Sequence, residues 1–104
     1  MSVMVRNYQG ERARIYVSAE ERRTLIGSVP ADRRDEDMVF RWSARDSLRF
    51  VVVFGGGRQC QTQAKAVRPD VPLVLWIYAR DWNRRREGSD GVWRECDFAE
   101  MEGR

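Results

Sequence analysis

The sequence predicts an α+β domain: a mostly antiparallel β-sheet built from hairpins, with one or two short helices packed on one face. Three observations carry this. Several segments alternate apolar and polar residues with a period of two, as half-buried strands do. Those segments come in pairs separated by short turn-forming stretches. Between them lie two stretches with helical signals, residues 19–26 and 58–67. At 104 residues the chain is expected to form one domain, 1–104, with one modest core.

The first pair is "VMVRNY" (3–8) and "RARIYVS" (12–18), flanking "QGE". Ala13, Ile15 and Val17 alternate with Arg14 and Tyr16, which reads as the second arm of a β-hairpin. "SAEERRTLIGSVP" follows. Ser18 with Glu21 fits a capping box, and Gly27 with Pro30 supplies a stop, predicting a short helix over about 19–26. That helix would present Leu25 and Ile26 to the core. "PADRRDED" (30–37) is a charged loop.

"MVFRW" (38–42) and "LRFVVVF" (48–54) flank "SARDS" as a second hairpin. The apolar run Phe50–Phe54 suits a central strand buried on both faces. "GGGRQCQTQAKAV" (55–67) fits two patterns. Cys60, Ala64 and Val67 share a helical stripe, whereas Cys60, Thr62, Ala64 and Ala66 alternate as in a strand. The helical reading is placed slightly ahead. "VPLVLWIYARDW" (71–82) is rich in branched and aromatic residues and predicts a strand. "GVWRECDF" (91–98) is expected to pair with it across the intervening loop, and the tail "AEMEGR" to fray.

Composition narrows the chemistry. Charged residues make up 34% of the chain and the net charge is +3, too small by itself to imply nucleic acid. The basic residues number 19, and Lys65 is the single lysine among them. This skew is what an arginine-biased coding genome gives, but arginine also grips carboxylate and phosphate through a rigid fork. There is no histidine, which removes the usual general base and the commonest metal ligand. Cys60 and Cys96 lie too far apart, with no second pair nearby, for a structural zinc site. No catalytic residue, metal ligand or cofactor is assigned. "DED" (35–37) reads as a solvated charge run rather than an acid–base pair. The absence of an apolar leader or a long apolar span leads to the expectation of a cytoplasmic protein without membrane contact.

Two surfaces are candidates for contact. "DWNRRREGSDGVW" places Arg84, Arg85 and Arg86 between Trp82 and Trp93, residue types enriched at protein hot spots and able to hold phosphates and stack bases. "VVVFGGGR" resembles the start of a phosphate cradle, making Gly55, Gly56, Gly57, Arg58 and Arg68 a second set for phosphate or nucleic acid. It lacks the spacing of either glycine-rich nucleotide motif. The function these readings favour is a small non-enzymatic binding protein that occupies a surface of a macromolecular partner, as inhibitors or adaptors from phages and mobile elements do. A protein partner comes first and nucleic acid second. A small His-free ribonuclease comes third. "VMVRNY" is the candidate edge strand for pairing with a twofold mate or a partner, so a monomer and a homodimer both stay open.

Overall fold

The computed structural model describes residues 1–19, 22–42, 47–68, 70–77, 85–88 and 91–101, with backbone alone at 19, 57, 85–88 and 91–95. Its elements in chain order are β1 (Ser2–Asn7), β2 (Ala13–Ala19), β3 (Arg22–Val29), β4 (Asp35–Val39), β5 (Ser47–Val53), β6 (Gln59–Gln61), β7 (Lys65–Ala66), β8 (Leu73–Ile77), β9 (Arg85–Gly88), β10 (Gly91–Glu95) and β11 (Asp97–Glu100). Strands predominate and the described residues contain no α-helix. The α+β expectation is therefore corrected to an all-β arrangement.

Two sheets face each other. Sheet one runs β11-β8-β1-β4, and sheet two runs β3-β2-β5-β6-β10-β9 with β7 added beside β5. Two ladders, β1–β8 and β6–β10, are parallel, and the others are antiparallel. The inner faces supply one core. Val3, Val5, Met38, Leu73, Leu75, Ile77 and Phe98 come from sheet one; Ala13, Ile15, Val17, Val29, Leu48, Phe50, Val52 and Cys60 come from sheet two. Phe50 and Phe98 meet edge to face across the gap, centroids 5.0 Å apart. The smallest extent of the molecule, 21 Å, is that of two sheets packed about 10 Å apart with their outward side chains.

Burial decided where local signals pointed elsewhere. Residues 22–29, predicted as helix, form β3 because Thr24, Ile26 and Val29 suit a pleated surface and the strand delivers Val29 and Ile26 to the core. Ile15 faces Gly27 and Tyr16 faces Leu25, so Ile26 is an extra residue in a β-bulge. That single-residue offset interrupts the alternation and lets 22–29 pass for helix. Gly27 lies where β3 meets sheet one: a Cβ there would stand 2.9 Å from Met38 Sδ.

The ambiguous segment 58–67 is strand. β6 pairs with β5 as Val51–Gln61, Val52–Cys60 and Val53–Gln59, and β7 resumes as Leu48–Lys65. The register slips by one residue between them. Thr62 bridges the slip: its N–H donates to Phe50 O at 3.0 Å, and its Oγ1 accepts from Phe50 N–H at 3.0 Å. Lys65 then reaches sheet one, donating to Phe98 O at 2.7 Å and pairing with Asp97 at 3.2 Å.

The pairing partners also differ from expectation. β1 and β2 do not form a hairpin with each other: β1 lies between β4 and β8, and β2 between β3 and β5. The link between them crosses from one sheet to the other. Asn7 holds it, accepting from Gln9 N–H at 3.1 Å and donating to Glu11 O at 2.7 Å. β1 is thus interior, not an edge. β4 pairs with β1 rather than β5, and it takes in residues 35–37 of the predicted charged loop. In the C-terminal part, β8 pairs with β11, and β10 with β9 and β6. Ala99 and Glu100, assigned to a fraying tail, belong to β11. No helix among the described residues is long and apolar enough to cross a membrane.

Candidate binding face

The outward side of sheet two is built by alternation. In β2 the residues Ala13, Ile15 and Val17 enter the core, so Arg14, Tyr16 and Ser18 face away. Residues directly opposite in an antiparallel ladder share a face. Ser28, Leu25 and Arg23 of β3 oppose those three, and so do Val53, Val51 and Arg49 of β5. Three rows result: Ser28–Arg14–Val53, Leu25–Tyr16–Val51 and Arg23–Ser18–Arg49. An apolar, aromatic row is thus flanked on each side by a row carrying arginine.

Accessibility is uneven. Arg14, Arg23 and Ser28 are exposed, Leu25 is 54% exposed, and Tyr16, Arg49 and Val53 are half-buried. Val51 is fully buried although it points away from the inter-sheet core, and so is Gln61 opposite it on β6. The open part of the face therefore centres on Tyr16 and Leu25, toward β3.

The nine positions hold three arginines and no carboxylate. Among the described residues neither Arg14 nor Arg49 has an ion-pair partner. The outward side of sheet one is the opposite. Its rows run Asp37–Met4–Val74–Ala99 and Asp35–Arg6–Trp76–Asp97, with three carboxylates to one arginine. The nine positions on β3, β2 and β5 are thus basic, and the two rows on sheet one more acidic, although Lys65 pairs with Asp97 at 3.2 Å.

The residues singled out from sequence are distributed differently. Trp82 and Arg84 lie outside the described residues. Arg85 and Arg86 fall on β9 and Trp93 on β10, at the far edge of sheet two from β3; in the ladder Trp93 stands opposite Arg86 and Arg94 opposite Arg85. Gly55, Gly56 and Gly57 form a single 3-10 turn closed by Phe54 N–H donating to Arg58 O at 2.8 Å, with Gly56 at φ 75°. This turn joins two antiparallel strands. The helix that a phosphate cradle needs after its glycines is strand β6 instead.

Arg58 and Arg68 already hold carboxylates. Arg58 pairs with Glu11. The Gln9 amide, donating at 2.8 Å, and then Arg58 keep the Glu11 carboxyl below its ordinary value of 4.5. Arg68 grips Glu100 in a fork, Nε to Oε2 and Nη2 to Oε1 at 3.2 Å each, with its backbone N–H adding a third bond at 3.0 Å. This lowers the Glu100 pKa and raises that of Arg68. Cys60 and Cys96 are both buried and not in a disulfide, and the described residues contain no acid–thiol group that could hold a metal.

Sequence reading missed Arg14, Tyr16, Arg23 and Arg49 as a set. The alternation in 12–18 already set Arg14 and Tyr16 outward. What it could not supply was that β3 is a strand and that β5 lies on the other side of β2. No family model, curated protein or solved structure matches this chain.

Proposed function

We propose that this is a small non-enzymatic binding protein that acts by occupying a surface of a macromolecular partner through the outward side of β3, β2 and β5, and that the surface it occupies is negatively charged. The observation that carries this reading is the set of nine neighbouring outward positions with three arginines and no carboxylate. Guanidinium forks give charge-assisted, often bidentate hydrogen bonds to carboxylate and phosphate alike. The exposed Leu25 and half-buried Tyr16 between them add apolar contact, the combination that anchors interfaces.

Retention on an immobilised polyanion such as heparin tests it. The protein is expected to bind at low salt, and the combined Arg14→Glu, Arg23→Glu and Arg49→Glu variant to flow through with its far-UV circular dichroism unchanged. Equal retention of the folded variant would place the contact elsewhere.

A further inference from the structure

We infer that the occupant of this face is a single-stranded nucleic acid, a run of a few nucleotides laid over its open part at Tyr16 and Leu25, with a base stacked at Tyr16; this rests on the reading of the face as the binding surface. Three features favour it. The first is the order of the rows. Unpaired bases offer flat, weakly polar faces, which stack on aromatic rings, while their backbone needs cations alongside. Tyr16 and the exposed Leu25 offer the platform, and arginines stand on both sides of their row. A duplex hides its base faces and presents phosphates, so it would leave the central row without a role.

The second feature is size. Three strands about 4.8 Å apart span roughly 10 Å, and Arg14 to Ser18 covers roughly 13 Å along β2. Even with side-chain reach this is a few hundred Å², below the ~800 Å² per partner of a standard protein interface. It is adequate for a narrow strand. The third is charge disposition. Arg23 and Arg49 flank Ser18 in one row, roughly 10 Å apart by strand spacing, and Arg14 lies beyond Tyr16 on the other side. A base on the Tyr16 ring thus has a guanidinium available in each direction along its backbone. On the opposite face Asp35 and Asp37 disfavour the same ligand.

Fluorescence anisotropy of a labelled ten-residue oligothymidylate tests the inference, with a hairpin duplex of equal length and poly-L-glutamate as competitors. The single strand is expected to bind, and to bind more tightly than the duplex. With about two phosphates neutralised, by Arg14 and Arg49, its affinity should fall about sevenfold between 50 and 200 mM salt. Tyr16→Ala should weaken it about tenfold and Tyr16→Phe should restore it, since the ring and not the hydroxyl stacks. Arg49→Glu should weaken it while leaving the circular dichroism unchanged. Poly-L-glutamate displacing the oligonucleotide as well as unlabelled oligonucleotide does, or Tyr16→Ala binding as the parent does, would overturn the nucleic-acid assignment and leave a charge-selective face for an acidic protein. No binding of oligonucleotide while heparin retention still depends on Arg14, Arg23 and Arg49 would overturn it in the same way. Loss of that dependence would remove the face itself.

Discussion

Arg23 and Arg49 stand in one cross-strand row although their strands are not neighbours: each lies directly opposite Ser18 of β2, the strand between them. Arg49 has no ion-pair partner among the described residues, so an anion that reaches this row has a guanidinium to engage. Binding of a polyanion should therefore stabilise the fold, by an amount that grows with free ligand. Differential scanning fluorimetry with and without oligothymidylate checks this: the melting temperature is expected to rise, and the rise to vanish in Arg49→Glu.

The core has its own prediction. Phe50 and Phe98 are fully buried and meet edge to face at 5.0 Å across the two sheets, and Phe40 adds a second edge contact to Phe50 at 6.0 Å. Phe50→Ala removes both contacts and opens a cavity, so it should cost about 3–5 kcal/mol of stability. Urea denaturation measures it. A cost under about 1 kcal/mol would mean that the sheets do not share this core.

The glycine turn makes a sharper comparison. Gly56 has φ 75° with open space around a would-be Cβ, whereas Gly55 has equally open space and no positive φ. Gly56→Ala should therefore destabilise by about 1–2 kcal/mol, with Gly56→Asn less costly. Gly55→Ala should stay within about 0.5 kcal/mol. Thermal or urea midpoints of the three variants separate backbone strain from crowding.

Two carboxylates set the response to acid. Glu100, held by Arg68, and Glu11, held by Gln9 and Arg58, both sit below their ordinary value of 4.5. A carboxyl whose folded pKa is depressed contributes stability that is present above the unfolded pKa and lost as pH falls through the folded one. The loss should therefore begin near pH 4.5 and continue below it. Both pairs are solvent-accessible, so the effect is small and screened by salt. Urea midpoints at pH 6 and pH 3.5 should differ less in Glu100→Gln than in the parent.

Cys60 and Cys96 give a chemical check on the same core. Both are buried, at 4% and 3% exposure, and neither is in a disulfide. A thiol reagent should label neither quickly in the native protein and both in denaturant. Rapid native labelling would contradict the packing of β6 against the core.

Much of the strand content was legible because alternation is a local signal. Ala13, Ile15 and Val17 enter the core, and the apolar run from Phe50 is a central strand, as the pattern implied. Three things were not legible. The bulge at Ile26 disguised an edge strand as a helix, and the capping pair Ser18 and Glu21 reinforced the wrong reading. The slip after Thr62 blurred β6 and β7. Pairing was the third: neighbouring strands in sequence were read as hairpins, yet β1 and β2 went to different sheets. The candidate face suffered most from this, since its residues come from three strands whose adjacency only the tertiary fold sets. An arginine cluster contiguous in sequence, Arg84–Arg86, drew attention that a dispersed one, Arg14, Arg23 and Arg49, could not.

The central claim is that the outward side of β3, β2 and β5 is where the protein binds. Two-dimensional amide and aromatic NMR of labelled protein during titration with oligothymidylate tests it most directly. The account predicts shifts concentrated at Arg14, Tyr16, Arg23, Leu25 and Arg49, with the Tyr16 ring among the largest. Shifts confined to Asp35, Asp37 and Trp76 on the opposite side, or to 85–95 at the far edge, would contradict it.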